Sequence, residues 1–140
     1  MVDRGVIRNR DFKTQVADMS GLTFGKITPT DLDAFMDFNN RLFVFVEAKY
    51  GLTSMPYGQQ LALERLVDAC HTPPHRYSVA FVTSHTSSGD IDFAKTVVTK
   101  YRWNGKWLTP QKLNATLRQG VDCFRALCLP SNVVQLKVAA

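Results

Sequence analysis

The sequence predicts a single α/β domain with a mixed central sheet flanked by helices. Three observations carry that expectation. Short apolar runs bounded by turn residues alternate with longer stretches whose apolar side chains recur at helical spacing. Two Asn-containing breaks, Asn39-Asn40-Arg41 and Asn104-Gly105, sit between apolar runs as hairpin turns do. At 140 residues, with 45% hydrophobic and 21% charged residues, the chain has material for one real core and no compositional bias toward disorder.

The elements follow in order. Residues 11–19 read as a short helix closed by Ser20-Gly21. Residues 30–38 and 42–49 read as two strands of a hairpin joined through Asn39-Asn40-Arg41, because Asn tolerates left-handed backbone. After a loop containing Pro56, residues 59–70 repeat apolar side chains at helical spacing without a breaker. Pro73 and Pro74 must end that helix. Residues 77–84 predict a strand, Ser87-Ser88-Gly89-Asp90 a turn, and residues 93–103 a further strand turning at Asn104-Gly105 into residues 106–108. Residues 114–128 predict the last helix, and the tail from about residue 130 is expected to be loose.

Composition excludes several classes. The three cysteines, Cys70, Cys123 and Cys128, form no close pair of the redox or zinc type and suit a reducing compartment. No run approaches the roughly 18 apolar residues of a membrane span, and the charged start is not a signal segment, so a cytoplasmic protein without membrane partner is expected. The phosphate-cradling pattern G-x-x-x-x-G-K-[ST] is missing, which argues against nucleotide triphosphate chemistry. The net charge of +5 favours a polyanionic partner through counterion release, although the basic residues are scattered.

Residues 30–49 carry the chemistry. On a strand, Glu47 and Lys49 project from one face, at the end of the apolar run Leu42-Phe43-Val44-Phe45-Val46. A carboxylate and an ammonium at that position are costly unless paired or coordinating. A two-residue turn would place Asp33 opposite Val46, on the wrong face. A three-residue loop places Asp33 directly opposite Glu47, and Asp31 opposite Lys49. Directly opposite side chains approach to about 4.5–5.5 Å at Cβ. Two carboxylates that close repel, and a divalent cation relieves the repulsion. Oxygen ligands without clustered His or Cys favour Mg²⁺ or Mn²⁺ over zinc.

This strand ending in Glu47-Ala48-Lys49, with Asp33 fourteen positions upstream, resembles the PD-(D/E)xK nuclease superfamily. In size and order of elements it is similar to small phage-encoded and Holliday-junction-resolvase-like members. Pro29 and Asp31-Leu32-Asp33 resemble the first acidic motif, with Thr30 standing where a strict Pro-Asp pair would fall. The resemblance covers about residues 21–66. It implies a restriction-endonuclease-like core and metal-dependent hydrolysis of nucleic acid, DNA in first place. It assigns Asp33, Glu47 and the Ala48 carbonyl to the metal, with Asp31 as the competing choice for Asp33. Lys49 would orient or help deprotonate the attacking water. Several members also use a Gln on the following helix. Of Gln59 and Gln60, Gln59 is preferred because it lines up with Leu63, Leu66 and Cys70. Dimerisation follows by analogy with small resolvases.

One departure stands out: many relatives carry a metal-binding Glu on the first helix, where this chain offers only Asp11 or Asp18. That favours the alternative expectation, a nuclease-fold module with weak or lost catalysis that binds nucleic acid or a partner protein. Lys100, Arg102 and Lys106, beside Tyr101, Trp103 and Trp107 on the second hairpin, form the expected nucleic-acid-facing set. Two other constellations are set aside. Cys70, His71, His75 and His85 match no zinc spacing. Ser84 and His85, adjacent on one strand, point to opposite faces and cannot pair as a catalytic dyad with Asp90.

Overall fold

A computed structural model describes residues 18–129. Contacts divide the chain into two units, Met1–Thr30 and Asp31–Ala140. In the first, the expected helix over 11–19 lies almost wholly outside the described residues. Ser20–Leu22 forms a 3₁₀ turn, with the Ser20 amide donating to Asp18 Oδ1 at 3.0 Å. That bond, the largest influence, holds the Asp18 carboxyl below its ordinary pKa.

The second unit holds β1 (Ala34–Phe38), β2 (Leu42–Tyr50), α1 (Tyr57–Cys70), β3 (Tyr77–His85), β4 (Val97–Trp103), β5 (Lys106–Leu108) and α2 (Leu117–Cys128). The five strands form one sheet in the order β1-β2-β3-β4-β5. All neighbouring pairs are antiparallel except β2 and β3, which run parallel and are joined by α1. The fold is therefore α/β with a mixed sheet. Among the described residues, no helix is long and apolar enough to cross a membrane.

The β1–β2 hairpin has the register of a three-residue loop: Phe38 faces Leu42 and Ala34 faces Val46. Asn39 and Asn40 take φ of 56° and 62°, the left-handed region in which Asn is tolerated. Asp37 Oδ1 accepts from the Asn40 amide at 2.7 Å, and the Arg41 amide donates to Phe38 O at 3.0 Å, which closes the loop. The first strand is shorter than the expected 30–38. Its main-chain ladder stops at Ala34 because the Ala48 amide donates instead to Asp33 Oδ2, at 2.7 Å. The expected strand over 93–103 likewise begins late. Phe93–Lys95 is a 3₁₀ turn, and Thr96 Oγ1 donates to Phe93 O at 2.8 Å.

Side chains of β2 and β3 alternate between two cores. On one face Phe45 and Ala80 pack with Leu63 and Val67 of α1. On the other, Leu42, Val44, Val46, Val79 and Phe81 pack with Leu117, Val121, Phe124 and Cys128 of α2. The helices thus cover opposite faces, and each fully buried Val or Leu contributes about 1.5–3 kcal/mol. The inward stripe of α1 runs through Leu63 and Val67, whereas Leu66, expected to face inward, is exposed. The expected helix over 114–128 starts later. Thr116 is its N-cap, with a capping box in which Thr116 Oγ1 accepts from the Gln119 amide and Gln119 Oε1 from the Thr116 amide. Burial among these apolar neighbours pushes the Cys128 thiol up to about 11.

Gly120 in α2 sits directly over Phe81. A Cβ there would stand 2.8 Å from Phe81 Cε1. Phe81 is fully buried and packs against Tyr101 and Phe124, so its ring would have to shift against those two neighbours. An exposed helical Gly→Ala change gains about 1 kcal/mol, whereas overpacking costs about 1–3 kcal/mol. Gly120→Ala should therefore lower stability, by about 1–2 kcal/mol. Urea unfolding measures this, and a raised midpoint would show that the ring yields.

Candidate active site

The hairpin register decides which side chains meet. Phe35, Phe43 and Phe45 share the α1 face, with ring centroids 5.7 Å (Phe35–Phe43) and 5.1 Å (Phe35–Phe45) apart. By alternation Asp33 and Glu47 belong to that face too. Glu47 is buried, at 6% exposure, on a strand of apolar residues. Its Oε2 accepts from Gln59 Nε2 at 2.8 Å and lies 3.1 Å from Lys49 Nζ. Lys49 Nζ in turn donates to Gln59 Oε1 at 3.0 Å. The Gln59 amide, in the first turn of α1, therefore bridges the acid and the base of the same strand.

Burial is the largest influence on Glu47 and raises its pKa. The charge of Asp33 adds to the rise, while bonds from Lys49 and Gln59 oppose it. Among the described residues, each carboxylate keeps one oxygen without a hydrogen-bond partner. Asp33 uses Oδ2 on the Ala48 amide, leaving Oδ1; Glu47 uses Oε2, leaving Oε1. An extended residue sends its N–H and C=O to the same side, so the Ala48 carbonyl opens toward the β1 edge, where Asp33 holds its amide. Two carboxylate oxygens and a main-chain carbonyl are a hard donor set of the kind Mg²⁺ or Mn²⁺ takes. Among the described residues no three His, Cys, Asp or Glu side chains cluster as metal ligands. His71 is otherwise engaged: Nδ1 accepts from the Ser78 amide at 3.0 Å, and Nε2 is 2.6 Å from Asn104 Oδ1. Ser84 and His85 are separately occupied, Ser84 Oγ donating to Gly51 O and His85 Nδ1 accepting from the Ser87 amide.

The structure thus brings Asp33, Glu47, Ala48, Lys49 and Gln59 together. Asp31 is exposed just ahead of them. Asp11 lies outside the described residues, and Asp18 belongs to the other unit. Lys100 and Arg102 turn onto α1 instead of standing open. Arg102 makes two bonds to Asp68, at 3.1 and 2.7 Å, which hold it even more firmly protonated. Lys100 donates to Gln60 Oε1 at 2.9 Å and lies 4.5 Å from the Trp107 ring centroid. Lys106 alone of that set is exposed. The Trp107 indole donates to Glu64 at 2.6 Å, the main reason the Glu64 carboxyl is held below its ordinary pKa. This clasp was not anticipated from sequence. Its signal was the four-residue spacing of Gln60, Glu64 and Asp68 on one helical face, opposite alternate residues of a strand.

Compared with known proteins, the chain matches no family model, no curated protein and no solved structure.

Glu47 takes up its proton more readily folded than unfolded. Its contribution to stability is therefore present below the ordinary Glu range and is lost as pH rises through its elevated folded value. Glu47→Gln keeps an acceptor for Lys49 and Gln59 but no charge. In metal-free buffer the variant should match the wild type in thermal midpoint near pH 4 and exceed it near pH 8. A variant less stable at pH 8 would mean that the ion pair with Lys49 outweighs burial.

Proposed function

We propose that the protein is a divalent-metal-dependent phosphodiesterase of the PD-(D/E)xK kind, acting on nucleic acid, DNA in first place. The observation that carries this reading is the convergence of Asp33, Glu47, Lys49 and Gln59, with one oxygen of each carboxylate unpaired among the described residues. The progression of hairpin, crossing helix and parallel strand supports a restriction-endonuclease-like core around it.

Asp33 Oδ1, Glu47 Oε1 and the Ala48 carbonyl would hold Mg²⁺ or Mn²⁺. A bound ion of this type lowers the pKa of its water and polarises the phosphodiester. The protein's own groups do the rest. An ammonium has three N–H donors, and Lys49 directs them from one fixed place: Glu47 and Gln59 accept there, and the remaining donor serves the attacking water or a phosphate oxygen. Lys49 also offsets charge accumulating on the phosphate. Gln59 is a positioning residue, fixing both neighbours through one amide. The second reading, a binding module with weak or lost catalysis, is favoured by one feature: the chain has no Glu before Glu47.

Cleavage of a mixed panel of DNA substrates with Mg²⁺ or Mn²⁺, paired with calorimetric Mn²⁺ titration, tests the assignment. Lys49→Ala should lose about 10²–10⁴-fold in rate while retaining Mn²⁺ affinity, since it supplies no ligand. Gln59→Ala should lose about 10–100-fold. Glu47→Ala should lose both cleavage and metal. Equal Mn²⁺ affinity in wild type and Glu47→Ala would defeat the metal assignment, and metal binding without cleavage of any substrate would favour the binding module.

A further inference from the structure

Outside the carboxyl end of β3 lies an open cavity of about 530 Å³ whose wall mixes apolar side chains, Ile91 and Val97 among them, with hydroxyl, amide and imidazole groups. It lies at the carboxyl end of the parallel pair, β2 and β3, where β2 leads into α1 and β3 turns back into the antiparallel β4. The cavity also adjoins the candidate active site. Ser84, on its wall, is the register partner of Lys49, so the two backbones are one strand spacing apart, about 4.8 Å.

The lining has the character of a recognition site. Ser84, Thr96 and Thr99 each donate their hydroxyl proton to a main-chain carbonyl, of Gly51, Phe93 and Val82 respectively. Their oxygens are thereby held in place as acceptors. Among the described residues, the Thr86 hydroxyl and the Asn114 side-chain amide have no hydrogen-bond partner, and His85 uses only Nδ1. The His85 ring is part of the lining, and Tyr50, outside it and 57% exposed, meets that ring edge-on with centroids 5.8 Å apart. An imidazole ring on the wall beside fixed acceptors and open polar groups suits a nucleobase, which stacks on the one and hydrogen-bonds to the others.

We infer that this cavity takes one unstacked nucleotide next to the scissile phosphate, and so that the substrate is single-stranded or frayed nucleic acid in preference to intact duplex. A base inside a duplex cannot enter a cavity without leaving its stack. The volume lies within the roughly 300–1,000 Å³ of small-ligand pockets. Lys100 and Arg102, engaged with α1, are not open to track a duplex backbone, which points the same way. The inference rests on the phosphodiesterase reading but has its own readout.

The test is a titration of the full chain with the four deoxynucleoside monophosphates, followed by amide chemical shifts. Shifts are expected at residues 84–86, 96, 99 and 114. Thr86→Trp, which fills the mouth from an exposed position, should weaken binding at least tenfold. Asn114→Gly removes the amide at a backbone φ of 56° that glycine adopts freely, and should weaken it less. No shifts with any of the four nucleotides, or shifts unchanged in both variants, overturn the cavity inference, whether or not the protein cleaves DNA. Cleavage of single strand and duplex at equal rates overturns the substrate preference. Failure to cleave any substrate, with nucleotide shifts intact, sinks the phosphodiesterase reading and leaves the cavity as a nucleotide site.

Discussion

Glu47 ends a strand whose preceding residues, Leu42, Val44, Phe45 and Val46, are buried and apolar. A charged carboxylate in that setting is tolerable only with partners on hand. Lys49 and Gln59 supply them through one oxygen, and the main chain and Asp33 complete the surroundings. The demand for partners explains why three segments, the residue before β1, the end of β2 and the start of α1, meet at this point. It also explains why burial still dominates the Glu47 carboxyl: the opposing bonds offset desolvation without cancelling it.

The second constraint lies on the far side of α1. Gln59 looks toward the site, while Gln60, Glu64 and Asp68 are gripped by Lys100, Trp107 and Arg102 from β4 and β5. Leu63 and Val67 seat the same helix on the sheet. A helix held along two stripes has little freedom to rotate, so the Gln59 amide is delivered in one orientation. Placing a functional side chain on a braced element in this way gives finer positioning than a loop provides. Lys100 and Arg102 thus act through the helix, Arg102 on the Asp68 carboxylate and Lys100 on the Gln60 amide oxygen, while Lys106 stays exposed.

Much of this was legible in the sequence. The apolar run and the Glu47-Lys49 spacing marked a strand with two polar side chains on one face. The Asn39-Asn40-Arg41 break, read as a three-residue loop, placed Asp33 on the face of Glu47, and Ala34 does face Val46. The element order and mixed sheet followed from periodicity and turn residues. What was not legible depended on tertiary contacts. The early end of β1 required knowing that the Asp33 carboxylate would displace a main-chain acceptor. The ties of Lys100 and Arg102 required knowing that α1 crosses over β4 on that face. Leu66 had the right residue type and nearly the right angle for the core, but the stripe settled on Leu63 and Val67.

The mixed topology also has a kinetic side. The β1–β2 hairpin closes across three residues, a local event of about 1–10 μs for an isolated hairpin. Pairing β2 with β3 must wait until the intervening helix and loops have been gathered in, because parallel strands need a long crossover and distant contacts form slowly. Asp33, Glu47 and Lys49 all belong to the early hairpin, whereas Gln59 arrives with the crossover. The Gln59 bridge between Glu47 and Lys49 therefore depends on the long-range closure of the crossover, whereas the placement of Asp33 against Ala48 needs only the local hairpin.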